Sequence, residues 1–401
     1  MSTFGSAFSG YRELPKLVGY PYLIISFLGR LPTSMIIIGV LTLVVASTGS
    51  VAIAAYCSAA FAVANGIGNV LIGRLTDIFG QRLPLLIIAP INVAFLLLIV
   101  WLAPQNPATI LLVANSAAVG ITTSPIGPLA RVRWYPIASH RHLPTAMSWE
   151  TVNDELIFVL GPAAVGIIAA AISPGAPMLV AAALVATCVI PFALSRHGRG
   201  PSVSEDGSTG PPFSYILRRV RTPILAMLFM GMYFGAMQTS VTAFAESNGL
   251  EGLGGLIYAA MGLSAAITAL VAVALPARFT FVSRIIVGGL GLFIGASACA
   301  LATSGVSLAF LLFLAGIFIG PVGVSIFTLA GQWAPRGGDG VANTVIVSAN
   351  VLGVAAASAL VGQVVESHLS TGFFIAGLCG IGMAVVAGTV GRADDKVFAV
   401  K

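Results

Sequence analysis

Between residues 51 and 72, and again between 83 and 102, the chain has no Asp, Glu, Lys, Arg or His. A helix needs roughly 20 consecutive apolar residues to cross the hydrocarbon of a bilayer. Two such runs joined by the short polar stretch 73–82 read as a hairpin of membrane helices. The pattern recurs along the whole chain, with twelve runs at about 21–47, 51–72, 83–102, 108–130, 144–172, 176–195, 222–245, 252–275, 284–303, 306–331, 340–364 and 370–391. Only 8% of residues are charged and 58% are hydrophobic, whereas a soluble domain carries about 25% charged residues. Forty-six glycines suit helices that approach closely in lipid. The fold class is an all-α polytopic membrane protein.

The bases orient it. Every Lys and Arg except Arg30 falls at a terminus or in the connections after the even-numbered runs. The positive-inside rule then puts both termini in the cytoplasm, in a multi-pass protein of the cell membrane. The net charge of +6 is spread over many loops, so no nucleic-acid partner is expected. Residues 1–20 hold charges and prolines and the first run is too long for a signal peptide, so no cleaved leader is expected. The four cysteines all sit inside apolar runs and read as small buried hydrophobes.

Residues 196–221 are rich in Gly, Pro, Ser and charge, the composition of a linker. The expected units are an N-terminal segment 1–20, a six-helix bundle 21–195, the linker 196–221, a second six-helix bundle 222–391 and a tail 392–401. The halves are weakly similar: Arg131-Val-Arg-Trp134-Tyr-Pro136 ends run 4, and Gly331-Gln-Trp333-Ala-Pro335 ends run 10. Residues 277–284, after run 8, read as a decayed copy of 73–82.

The stretch 73–82 reads Gly73-Arg-Leu-Thr-Asp77-Ile-Phe-Gly80-Gln-Arg82. It is expected to form a tight turn, because Gly80 takes φ > 0 without steric cost. Its Gly73, Asp77, Gly80 and Arg82 resemble the loop 2–3 signature of the major facilitator superfamily of secondary transporters. The resemblance implies two pseudo-symmetric six-helix bundles with a substrate site between them near the midplane. It also implies a cytoplasmic gate in which Asp77 faces the start of run 11, near Gly340 to Ala342, where the helix dipole favours a carboxylate. Arg131 and Arg133 are candidate partners for Asp77.

Run 5 carries Glu150, Asp154 and Glu155, then Gly161-Pro162-x-x-x-Gly166. At 100° per residue Glu150 and Asp154 lie within about 40° of each other, and Gly161 shares their face. Glu155, Pro162 and Gly166 share another, roughly 100° away. Acids within a span are expensive and point to function. Asp154, Glu155 and Glu150 are therefore candidate proton-coupling groups, although Glu150 could also meet solvent at the helix end. Gly161, Pro162 and Gly166 resemble the end of the antiporter motif of that superfamily, whose face packs on span 8 of the other half; Val165 replaces a usual glycine. Arg30, inside run 1, either snorkels to the interface or pairs with Glu150 or Asp154 within about 4 Å.

Met230, Phe234, Met237, Gln238 and Val241 form a stripe on run 7, either a cavity lining for varied apolar ligands or plain helix packing. Asn115 in run 4 is a substrate-binding candidate, and Asn343 and Asn350 in run 11 are substrate-binding candidates or helix–helix hydrogen bonders. Ser116 stands where many proton-driven exporters carry an Arg. No nucleotide-binding, zinc-protease or serine-hydrolase motif occurs, so neither enzyme activity, metal nor cofactor is expected. The functional reading is proton-coupled export of small apolar or amphipathic molecules by a monomer in the bilayer. Proton-coupled uptake of a small metabolite is the alternative, and a channel or polytopic membrane enzyme the more distant one.

Overall fold

The computed structural model describes residues 2–105, 107–139, 142–198, 211–250, 253–276, 278–365 and 369–394. Arg141, Arg199 and the rest of 199–210 in the linker, Lys396, Lys401 and the end of the tail lie outside them. The described residues contain twelve helices able to cross a membrane. Spans 1 to 6 are Tyr20–Thr48, Ala52–Phe79, Arg82–Gln105, Thr109–Ile137, Leu143–Ala171 and Ala176–Leu194. Spans 7 to 12 are Arg221–Ser247, Gly254–Ala274, Phe281–Cys299, Gly305–Trp333, Asp339–Gly362 and Leu369–Asp394. A further helix, Ser2–Val18, precedes them, and a short one, Phe213–Arg219, lies within the linker.

The two halves repeat each other's irregularities. Span 4 breaks at Thr123, before Pro125, and span 10 breaks at Ile317, before Pro321. Spans 6 and 12 each carry a widened π turn near their ends, Val185–Val189 and Ala387–Gly391. Span 1 breaks at Gly29–Arg30, with Pro32 restarting the helix. Within each half, glycines let backbones meet. Positions for a Cβ on Gly68 and Gly120 are occupied by the backbones of Ile121 and Phe61, joining spans 2 and 4. Gly316 and Gly320 do the same for spans 10 and 8, against Met261 and Ala265. Outward, bulky side chains such as Trp101, Ile110, Ile167, Ile294 and Phe310 remain exposed, as a lipid-facing surface requires.

One local expectation changes. Residues 73–79 are not a turn: span 2 stays helical to Phe79, and the chain reverses at Gly80, with φ 76°, and Gln81. No residue in 73–79 breaks a helix, so Gly80 alone does so. Arg74 Nη1 donates to the Pro211 carbonyl, Arg133 Nη1 to Ser195 and Arg219 Nε to the Trp333 carbonyl. These bonds gather the arginine-bearing span ends on one face, the basic end.

Candidate transport site and gate

At the basic end, the last turns of span 2 pack alongside the first turns of span 11. The amides of Gly340 and Val341, in the first turn of span 11, donate to Asp77 Oδ1 and Oδ2, each at 2.9 Å. The first amides of a helix have no partner within it and carry its positive dipole end, so a buried carboxylate is well placed there. The approach depends on missing side chains. A Cβ on Gly340 would stand 2.5 Å from Asp77 Oδ1, and one on Gly73 would overlap the Thr344 side chain.

Arg131 and Arg133 do not serve Asp77, contrary to the sequence reading. Arg133 donates to Gln81 Oε1 at 2.6 Å and lies 3.5 Å from the Phe192 ring centre. Arg131 turns into the bundle. Each is committed to a partner on another element, and Asp77 has two amide donors from span 11. Arg82 is exposed at the start of span 3.

Other bonds cross between the halves in the same region. Tyr135 and Asn343 pair at 2.9 Å, Ser348 donates to the Gly66 carbonyl at 2.8 Å, and Ser148 donates to the Ala269 carbonyl. Tyr11, from the helix before span 1, donates to the Leu270 carbonyl at 2.8 Å and stands 2.5 Å from Ser148 Oγ. Burial pushes the Tyr11 phenol up to about 12. Towards the far ends of spans 5, 8 and 11, by contrast, Gly166, Gly255 and Gly362 face open space. The two bundles are thus pinned at the basic end.

Above the gate lies a buried set of charges. The break in span 1 presents Arg30, 2% exposed, to span 5. Its guanidinium contacts Glu150 Oε2, and it donates to Asp154 Oδ1 at 3.0 Å and to the Glu150 carbonyl at 3.2 Å. Trp134 Nε1 donates to the other oxygen of Glu150 at 2.6 Å. Arg131 Nη2 holds Asp154 Oδ2 at 2.5 Å, and the Arg131 guanidinium lies 3.6 Å from the centre of the Phe327 ring in span 10. Gly127 permits this gathering: a Cβ there would stand 3.3 Å from Asp154 Oδ1. Two arginines face two carboxylates, and snorkelling of Arg30 is ruled out by its burial.

The remaining candidates separate. Gly161 packs on Ser34 of span 1, one turn on from Arg30, rather than on span 8, and Gly166 touches nothing within 4 Å; Pro162, one residue on from Gly161, is half-buried. Glu155 looks the other way, towards Gly262 of span 8. Asn115 donates to the Phe95 carbonyl of span 3, and Asn350 lies against Gly231 and Met227 of span 7. Those two asparagines join helices. Met230, Met237 and Val241 are buried in the second bundle, while Phe234 is half-buried and Gln238 exposed. Sequence reading missed Trp134, Gln81, Tyr135, Gly127, Phe327 and Tyr11 as members of the site. Only Trp134 and Tyr135 carried a signal, through the repeat at the ends of spans 4 and 10.

Comparison with known proteins supplies three findings. The sequence model of the Major Facilitator Superfamily matches residues 22–358. A protein of Sinorhizobium fredii (strain NBRC 101917 / NGR234), described as the uncharacterized MFS-type transporter y4rN, is 25% identical over 405 residues, covering 94% of this chain and 95% of its own. Among solved structures, the human organic anion transporter MFSD10 (TETRAN) superposes with a TM-score of 0.72 at 15% identity, covering 91% of this chain and 98% of that one. FucP in the outward conformation superposes with a TM-score of 0.69 at 14% identity, covering 92% and 98%.

Proposed function

The chain belongs to the Major Facilitator Superfamily and is a transporter with twelve membrane spans, and from that premise we propose that it is a proton-coupled secondary active transporter that exports small apolar or amphipathic molecules by alternating access. The basic end faces the cytoplasm of the cell membrane, so the state described here is closed inward.

The observation that carries the coupling is the position of Asp154, held by Arg30 on one side and by Arg131 on the other. With Asp154 and Glu150 ionised, two positive and two negative charges balance. A proton on Asp154 leaves one guanidinium uncompensated in a buried site, which costs several kcal/mol if nothing moves. Arg131 also rests on Phe327 of the other half. Its release from Asp154 therefore changes a contact between the bundles, just above the gate. Protonation weakens the inward-closed arrangement and deprotonation restores it. The direction, export, rests on Gly161, Pro162 and Gly166.

The test is reconstitution in vesicles with an imposed pH gradient and a trapped pH indicator. Solute flux should accompany proton flux in the opposite direction. Solute flux indifferent to the gradient would refute the coupling.

A further inference from the structure

The two halves of the chain close the basic end by different means. Spans 2 and 8 hold matching places in the halves, as do spans 5 and 11. At the first seam, the end of span 2 gives Asp77 to the leading amides of span 11. At the second, the end of span 8 meets the start of span 5 with no acid to give: residues 252–338 contain no Asp or Glu.

A third element fills that second seam, the N-terminal helix Ser2–Val18. Gly10 brings its backbone onto the first turn of span 5, where a Cβ would stand 3.0 Å from Thr145 Oγ1. One residue on, Tyr11 lies between Ser148 of span 5, at 2.5 Å, and the Leu270 carbonyl of span 8, at 2.8 Å. Carbonyls in the last turn of a helix have no partner within it. Tyr11 takes that of Leu270, and Arg284 of span 9 takes those of Ala272 and Leu275. Lys16 and Glu13 of the N-terminal helix pair with each other, so Tyr11 crosses to span 8 as a neutral hydroxyl. The helix itself belongs to the first bundle. Leu14 and Val18 are buried, the Val18 carbonyl meets His197 after span 6, and Gly19, with φ 83°, leads straight into span 1.

We propose that this helix is an autoinhibitory clasp, standing in for the carboxylate that the second half lacks and holding the transporter inward-closed until Tyr11 releases span 8. The gate then has a charged latch, Asp77, on one seam and a neutral latch, Tyr11, on the other. The clasp rests on the inward-closed reading above and adds a moving part to it. When the basic ends separate as rigid bodies, the helix travels with the first bundle and its bond to Leu270 breaks.

Hydrogen–deuterium exchange at the amides of Gly340 and Val341 reads gate opening at the Asp77 seam, away from the altered residues. A purely local role for Tyr11 would leave that exchange alone. Tyr11→Phe in the full chain should raise it about two- to tenfold, the net worth of one hydrogen bond. Deleting residues 2–11 should raise it at least as much. Two cross-links, made with the four native cysteines replaced by alanine, then separate the bundles. A Cβ on Gly10 would lie 3.6 Å from Thr145 Cβ, which suits a disulfide. Oxidising Gly10→Cys with Thr145→Cys ties the helix to its own bundle and should leave exchange as it is in the reduced variant. Joining Tyr11→Cys to Leu270→Cys with a short, reducible bifunctional thiol reagent should slow exchange, and reduction should restore it. Should the deletion fail to fold, Tyr11→Phe and the two cross-links decide. Exchange at span 11 unmoved by Tyr11→Phe and by the deletion, or slowed equally by both cross-links, would overturn the clasp. Raised exchange alongside flux indifferent to a pH gradient would count against proton coupling and leave the clasp standing. Coupled flux with unmoved exchange would do the reverse.

Discussion

Arg131 holds Asp154 at 2.5 Å while its guanidinium lies 3.6 Å from the ring centre of Phe327, so one side chain joins a candidate protonation site to the opposite bundle. Replacing Phe327 by Leu keeps the volume apolar and removes the ring. The inward-closed state should then be weakened by about 0.5–2 kcal/mol, the range of a cation–π contact. Spin labels on the basic ends of spans 4 and 10 should report a larger population at long distance. An unchanged distribution would show that the contact carries no coupling.

Asp77 accepts both leading amides of span 11. Asp77→Asn keeps the size, removes the charge and offers one acceptor oxygen where there were two. The closed gate should lose about 1–3 kcal/mol. Gly340→Ala should act the same way, because its methyl would press on Asp77 Oδ1. The two changes break one contact, so their combined effect should fall well short of the sum. Accessibility of a cysteine placed near the basic end of span 11, probed with a membrane-impermeant thiol reagent, measures it.

Tyr11 reaches across the bundles to the Leu270 carbonyl from a helix outside the membrane spans. Tyr11→Phe should loosen the closed gate by about 0.5–1.5 kcal/mol, one hydrogen bond's net worth. Its phenol is raised to about 12 from 10.0. A raised value means the neutral form is favoured on folding, so the contribution is complete below pH 10 and is lost as pH rises towards 12. Between pH 6 and 9 the difference between Tyr11→Phe and the unaltered chain should therefore be constant, in the same thiol-accessibility assay.

His197, just after span 6, stands 3.2 Å from the Val18 carbonyl and packs on Tyr22. Burial, then the charge of Arg196, lowers its affinity for a proton. The folded chain thus binds fewer protons than the unfolded one near pH 6.5, and stability should fall as pH drops below that value. His197→Gln should flatten this part of a melting-temperature profile between pH 5 and 7. A profile that keeps its slope in the variant would assign the effect elsewhere.

The twelve spans were legible because each is set by local composition, and lipid leaves little choice between a long apolar run and a helix. The Arg30 partnership was legible for the same reason: a charge in a span needs a counter-charge, and few were on offer. The partners of Arg131 and Arg133 were not. Two arginines two residues apart look equivalent in sequence, but the break before Pro125 sets the rotation of the segment Ile126–Ile137, and so sends one to Asp154 and the other to Gln81. Asn343 and Asn350 stayed open between solute and helix packing in sequence, because an Asn serves a neighbouring helix as readily as a solute. Gly127 and Phe327 gave no sign, since an empty notch and a packed ring look like any other part of a span.

The most direct test of the account is accumulation in vesicles under a pH gradient, comparing the unaltered chain with Asp154→Asn. The unaltered chain should concentrate its solute against the gradient. Asp154→Asn should still exchange solute down its own gradient, yet fail to concentrate it. If Asp154→Asn concentrates solute as well as the unaltered chain, Asp154 does not couple proton and solute movement.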